Sequence, residues 1–448
     1  MPTDPRDLIN HSPMSRFQWG IVGVMVGLNA LDGFDVLSIS FASPGIARAW
    51  GIDRGALGIV LSMELIGMAL GSILLGGVAD RLGRRRTILG CLPVMAVGML
   101  GASSAHTVLA LCLWRVLTGI GIGGMLAVTN AAVSEAANAT QRSLCVVLMA
   151  AGYPLGAVIG GSISALLLQH ADWPIVFQFG AIVTLCFVPL VWWCAPESIA
   201  FGMQRRTPST LAGINATLAR MGHPPVDTLP PLADFPRKAP LATLFSPDLA
   251  RRTILMTIAY FAQLMSFYFI LKWTPKIVVD MGFAPASAAG VLVWTNIGGT
   301  IGAVLFGLLT IRLPLRPMTI AAMAMSVVLI VAFGHGQAGL GTMAAMAAAT
   351  GFFTNAGIVG LYALIARDFP TSVRAAATGF AIGVGRGGSA LAPALAGFMF
   401  GSGVGLQAVA IVMASGSLIA LLALAALPIN ASLPTSRKAG IRDTRMNG

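Results

Sequence analysis

The chain has 448 residues, 56% of them apolar and only 10% charged, and its mean hydropathy of +0.83 lies far from that of soluble globular proteins. The net charge of +12 raises nucleic acid as a partner, but the basic residues sit at the ends of apolar segments rather than in one patch, so that class is set aside. A polytopic membrane protein remains.

Apolar stretches long enough to cross about 30 Å of hydrocarbon, roughly 20 helical residues, recur along the sequence. Residues 1–16 read as a polar tail, and the first apolar run is too long for the core of a cleavable signal. Predicted membrane helices then cover 17–42, 55–79, 86–104, 107–135, 142–169 and 173–195. Residues 196–251, with TLPPLADFPRKAP inside them, break the pattern as a linker. A second set covers 252–276, 285–311, 316–334, 339–367, 373–400 and 404–427, and 428–448 form a basic tail. The expected domains are therefore two bundles of six helices, 17–195 and 252–427.

Most of the 28 Lys and Arg fall in segments on one side: both tails, the loops at 81–86 and 312–316, the linker, Arg142, Arg367 and Arg374. Arg48, Arg54, Lys272 and Lys276 lie near the other ends. This asymmetry predicts cytoplasmic termini and a plasma-membrane location, with the lipid bilayer as partner. Lys272, near the outer end of its helix, is expected to snorkel to the interface. Five scattered cysteines and five histidines at loops or helix ends form no metal-ligand pattern.

The two sets correspond. SEAANATQR at 134–142 and ARDFPTSVR at 366–374 join equivalent helices, and each leads into a Gly-rich helix, GYPLGAVIGG at 152–161 and GVGRGGSALAP at 383–393. A duplicated six-helix unit with a midplane site is the plan of a rocking secondary transporter. The glycines suit close helix packing, a hinge, or both.

Charges within the spans mark the candidate site. Asp32 and Asp35 are three residues apart and project from nearly the same helical face. Counting about 1.5 Å per residue, they lie roughly 10 to 15 Å below the outer end of the first helix, with Glu64 and Arg115 at comparable depth. Arg115 cannot neutralise three carboxylates, so proton-loading of Asp32, Asp35 or Glu64 is expected. In the second set the isolated charge is Arg386, best satisfied by an anionic substrate or by pairing with Asp32 or Asp35. Tyr153, Tyr260, Gln263, Trp294, Asn296 and Asn355 lie at similar depth and suit a ring bearing a carboxylate, with Arg115 as a further anion contact.

The loop GGVADRLGRRR, 76–86, resembles the signature of the major facilitator superfamily through Gly76, Ala79, Asp80, Arg81, Gly83, Arg84 and Arg85, with Val78 at a position where the family has Leu. The equivalent loop GLLTIRLPLRP, 307–317, lacks the Asp and the second Gly, so a symmetric lock is not expected there. RVLTGIGIGG at 115–124 and APES at 195–198 extend the resemblance over the chain. DGFD at 32–35 narrows it to the aromatic acid:proton symporter family. The resemblance implies an all-α membrane protein of twelve transmembrane helices in two pseudo-symmetric six-helix bundles. It implies no cofactor beyond the proton as coupling ion, and import of a benzoate- or hydroxybenzoate-like anion by a monomer. At the cytoplasmic gate Asp80 can accept hydrogen bonds from a helix N-terminus or an arginine, and Arg84 can reach Glu135, with Arg142 alongside. Such pairs would hold the inner mouth shut. The rival cargoes are other organic anions or drugs exchanged for protons. A membrane enzyme has no nucleophile and base at shared depth to support it.

Overall fold

In hydrocarbon, backbone polar groups have no water to bond, so a chain of this composition satisfies them within helices. The computed structural model describes residues 4–205, 208–230, 241–336 and 339–427, and every long regular element among them is an α-helix. A short α1 (Pro5–His11) precedes the first half, formed by α2 (Arg16–Trp50), α3 (Arg54–Leu82), α4 (Arg84–Ser103), α5 (Val108–Ala136), α6 (Arg142–Leu167) and α7 (Pro174–Cys194). Two linker helices follow, α8 (Ile199–Arg205) and α9 (Pro208–Met221). The second half comprises α10 (Ala250–Asp280), α11 (Pro285–Leu309), α12 (Leu315–Gly334), α13 (Leu340–Asp368), α14 (Thr371–Gly401) and α15 (Leu406–Ala425).

Eleven helices among the described residues are long and apolar enough to cross a membrane. The twelfth expected span is α14, 31 residues long, in which Arg374, Arg386 and the glycines lower the hydropathy. Two helices outrun their predicted spans by a turn or more at one end. The first continues past residue 42 through Pro44 to Trp50, and α10 continues past 276 to Asp280. The tail at 428–448 lies outside the described residues.

Polar caps start several helices. Ser15 and Gln18 form a reciprocal capping box on α2, Asp53 accepts from the Ala56 N–H at the start of α3, and Thr107 does the same for α5. Within the first half α3 packs on α5 and α2 on α6; within the second α11 packs on α13 and α10 on α14. The Gly-rich segments make these contacts. Gly152, Gly156 and Gly160 recur every four residues and sit on Val26, Ala30 and Phe34 of α2, while Gly385 and Gly388 sit on Tyr260 and Phe261 of α10.

The halves meet along α3 with α14, α6 with α11 and α2 with α10. The first and last described residues, 4 and 427, lie at one end of the bundle, called the termini end, and the opposite end is the far end. There a single apolar core runs through both halves, from Phe41, Leu57 and Phe177 to Trp273, Phe333 and Phe400. Gly58 packs on Pro393 and Gly397, and Gly161 on Val293. At the termini end the core divides into one cluster around Met25, Ile88 and Met125 and another around Met256, Met323 and Leu364. The far end is sealed and the termini end is split.

Candidate functional site

Five charged side chains are fully buried among the described residues: Asp32, Asp35, Glu64, Arg115 and Lys272. They form a layer behind the far seal. Glu64 on α3 is ion-paired with Arg115 on α5 through one oxygen and with Lys272 on α10 at 3.4 Å through the other. Arg115 also donates to the Asp35 carbonyl at 3.0 Å and lies over the Phe177 ring at 5.3 Å. Lys272 additionally donates to the Val36 carbonyl of α2. Lys272 therefore does not snorkel: two further turns of α10 carry it below the interface, into the ion-pair layer. It also corrects the charge count, because Arg115 is not the only base facing the three carboxylates.

The next layer toward the termini centres on Arg386. Its Nη1 donates to Ser72 Oγ at 2.6 Å and to the Met68 carbonyl at 3.2 Å, both on α3 across the half boundary. Among the described residues it forms no ion pair within 4 Å with either first-helix aspartate, although Asp32, Tyr260 and Tyr268 lie within its electrostatic reach. Tyr260 stacks edge-on against Tyr362 at 5.4 Å, and Tyr153 lies beside Tyr268. Two tyrosines, Tyr260 and Tyr268, thus lie within reach of the guanidinium, each with a second tyrosine beside it. All four carboxylate oxygens of Asp32 and Asp35 are buried without a hydrogen-bond partner among the described residues.

Other expected substrate contacts fall elsewhere. Trp294 is 53% exposed and shares the outward stripe of α11 with Ile301, Leu305 and Leu308, so its ring faces away from the site. Asn296 donates to Leu292 of its own helix at 2.9 Å. Asn355 donates to the Gly299 carbonyl at 2.9 Å, stapling α13 to α11, and Gln263 donates to the Thr354 carbonyl at 3.1 Å, stapling α10 to α13. Arg115 is committed to the ion-pair layer rather than to an open cavity. Ser72 and Tyr268 carry the site but were not singled out by sequence.

At the termini end Arg84 pairs with Glu135 at 3.2 Å, as its spacing suggested. Both belong to the first half, so this pair does not bridge the two halves. Gly83 has φ +101°, and its turn brings the Glu197 carboxylate onto the start of α4, where it accepts from the Arg84 N–H at 2.7 Å and the Arg85 N–H at 3.2 Å. The helix N-terminus expected to bind Asp80 is thus capped by Glu197; the Asp80 side chain lies outside the described residues. Arg142 caps the end of α5 at the Ser134 carbonyl, 3.0 Å, and holds Asn10 of α1 at 2.6 Å. The Arg81 carbonyl accepts from Arg205 of the linker, and a methyl added at Gly76 would meet nothing within 4 Å.

Comparison with known proteins agrees with this architecture. The family model of the Major Facilitator Superfamily matches residues 25–295. A gallate transporter of Pseudomonas putida is 31% identical over 409 residues, 90% of each chain. A 3-(3-hydroxy-phenyl)propionate transporter of Escherichia coli (strain K12) is 30% identical over 90% of this chain and 92% of its own. The inward open xylose transporter XylE from E. coli superposes with a TM-score of 0.72 at 16% identity, covering 93% of this chain and 98% of that one, which is a likeness of fold. On the matched family model and these relatives, the chain is an integral membrane transporter, not an enzyme, and it belongs to the Major Facilitator Superfamily.

Proposed function

We propose that this chain imports an aromatic carboxylate together with protons by alternating access, with both termini cytoplasmic. The observation that carries the reading is Arg386: it is fastened to Ser72 by one nitrogen, has no carboxylate within ion-pair distance among the described residues, and has the phenols of Tyr260 and Tyr268 within reach. A guanidinium offers a planar fork matched to carboxylate, and aromatic faces suit a flat ring. Gallate and hydroxyphenylpropionate, named for two relatives, are both ring carboxylates.

Asp32 and Asp35 supply the proton positions. A buried carboxylate without hydrogen-bond partners is expensive as an anion, and a proton removes most of that cost. When the substrate carboxylate takes Arg386, Asp32 loses the nearest positive charge on the second half, and a proton on Asp32 restores neutrality. Anion and proton then travel together. With the termini cytoplasmic, the sealed far end is external and the conformation faces inward.

Uptake into proteoliposomes, with and without an inward proton gradient, tests the reading across benzoate, hydroxybenzoates, phenylpropionates and dicarboxylates. Gradient-driven accumulation of a ring carboxylate is expected. Preference for a dicarboxylate makes the chain a symporter of another organic anion, and organic cations exchanged for protons make it an antiporter.

A further inference from the structure

The buried acids and bases are divided unequally between the halves. Among the described residues the first half holds Asp32, Asp35 and Glu64 with Arg115 as its one fully buried base; the second contributes Lys272, fully buried, from α10 and Arg386, half-buried, from α14. Charge balance at membrane depth therefore exists only while the halves are together. Of the contacts that make it, Glu64 to Lys272 is the one behind the far seal.

Among the described residues two ionic contacts join α3 to α10 there. Arg54 meets Asp280 at 2.9 Å on the exposed rim, where solvent and salt leave such a pair little net strength. Glu64 meets Lys272 with both side chains fully buried. Gly58, less than two turns above Glu64 on α3, rests on the backbone of α14 at Pro393 and Gly397. The far mouth cannot part along this seam without drawing Lys272 away from Glu64. Removing one partner of a buried pair leaves an uncompensated charge, which is strongly destabilising.

The two partners differ in how they meet that cost. Lys272 has a long flexible stem and can follow its helix toward water in the opened mouth. Glu64 stays within the first half. The titratable and charged groups facing it are Asp32 and Asp35 on α2, Arg115 on α5, Tyr153 on α6, and Lys272 and Tyr268 on α10. Without Lys272, one guanidinium stands among three carboxylates.

We propose that Lys272 is the counter-charge that ties opening of the far mouth to proton uptake by Glu64. On opening, a proton from far-side water forms an O–H bond on the Glu64 carboxylate as the Lys272 ammonium leaves. On closing, the ammonium returns, the O–H bond breaks, and the proton passes to a carboxylate of Asp35 or Asp32. The idea rests on the proton-coupled reading above, and it makes Glu64 and Lys272 positioning groups for the alternation rather than substrate contacts.

The test measures the far mouth without any substrate. Spin labels on Ser104→Cys and Ser402→Cys, in exposed far-end loops of the two halves, report the distance between them in the reconstituted protein, with Cys186 and Cys194 replaced by serine. In the otherwise native chain, acidification is expected to shift the population from the short to the long distance. Lys272→Met and Glu64→Gln are each expected to favour the long distance at alkaline pH by about ten- to hundredfold, the factor for one charge-assisted contact, and to abolish the pH response. Lys272→Arg is expected to restore it. A pH response preserved in both Lys272→Met and Glu64→Gln overturns the proposal. Absence of aromatic-acid uptake in a protein whose distances behave as expected counts against the substrate reading alone.

Discussion

Arg386 of α14 donates to Ser72 Oγ of α3 at 2.6 Å, across the boundary between the halves. The cation assigned to the substrate is thus also a contact that the halves share at mid-depth. An anion arriving at Arg386 acts on the fit between the halves, which is the kind of differential contact that lets a ligand shift a conformational equilibrium.

Replacing that fork with a point charge tests the ligand assignment. Arg386→Lys is expected to bind the best aromatic acid about ten- to hundredfold more weakly, the loss of a contact of about 1.5 to 3 kcal/mol. The primary amide of the same compound should bind native protein poorly and lose little more in the variant, because both changes remove one interaction. Binding calorimetry on the four combinations closes the cycle. Additive penalties would make Arg386 a structural tie to α3.

Asp32→Asn and Asp35→Asn each keep side-chain volume but remove a proton site. Both are expected to abolish uphill accumulation driven by a pH gradient while the protein remains in the membrane. Substrate exchange at equal pH should persist in at least Asp35→Asn, which lies in the layer above the arginine. Full accumulation in both variants would move the coupling to Glu64 alone.

Glu197 caps α4 and Glu135 pairs with Arg84, both at the termini end and remote from Arg386. Glu197→Gln is expected to weaken the cap by about 0.5 to 2 kcal/mol and to change turnover with substrate affinity nearly unchanged. Transport velocity and equilibrium binding, measured on one preparation, separate the two effects. A large loss of binding with normal turnover would place Glu197 in the substrate path.

Gly156 faces the Ala30 backbone, so Gly156→Ala sets a methyl against a carbonyl that cannot rotate away. A cost of about 1 to 3 kcal/mol is expected from overpacking, seen as earlier thermal unfolding in detergent. Gly90→Ala, where a methyl meets nothing within 4 Å, should instead stabilise α4 by about 0.5 to 1 kcal/mol. Equal behaviour of the two would remove the packing account of the Gly-rich helices.

Depth was legible in the sequence, and facing was legible only in part. Hydropathy and helical rise put Asp32, Asp35, Glu64 and Arg115 in one slab, where the structure has them. Lys272 was misread because its span was ended near residue 276. With α10 running to Asp280, the same count puts Lys272 two turns inside, beside Glu64. Trp294 had the right depth but the wrong face, and Ile301 and Leu308 on its stripe are the signal that could have shown it. Asn355 and Gln263 spend their donors on carbonyls of neighbouring helices, a use no single helix reveals. Glu197 caps α4 from more than a hundred residues away in sequence, across the fold of the first half.

The unequal division of buried charge also bears on how the chain is made. The first half emerges from the ribosome first and enters the membrane with an excess of carboxylates. The second follows with Lys272 and Arg386, for which its own six helices hold no buried acid among the described residues. Neither half is electrically complete in lipid. Each half supplies the charge that the other lacks, so a bundle expressed alone carries in lipid a charge imbalance that the joined chain does not.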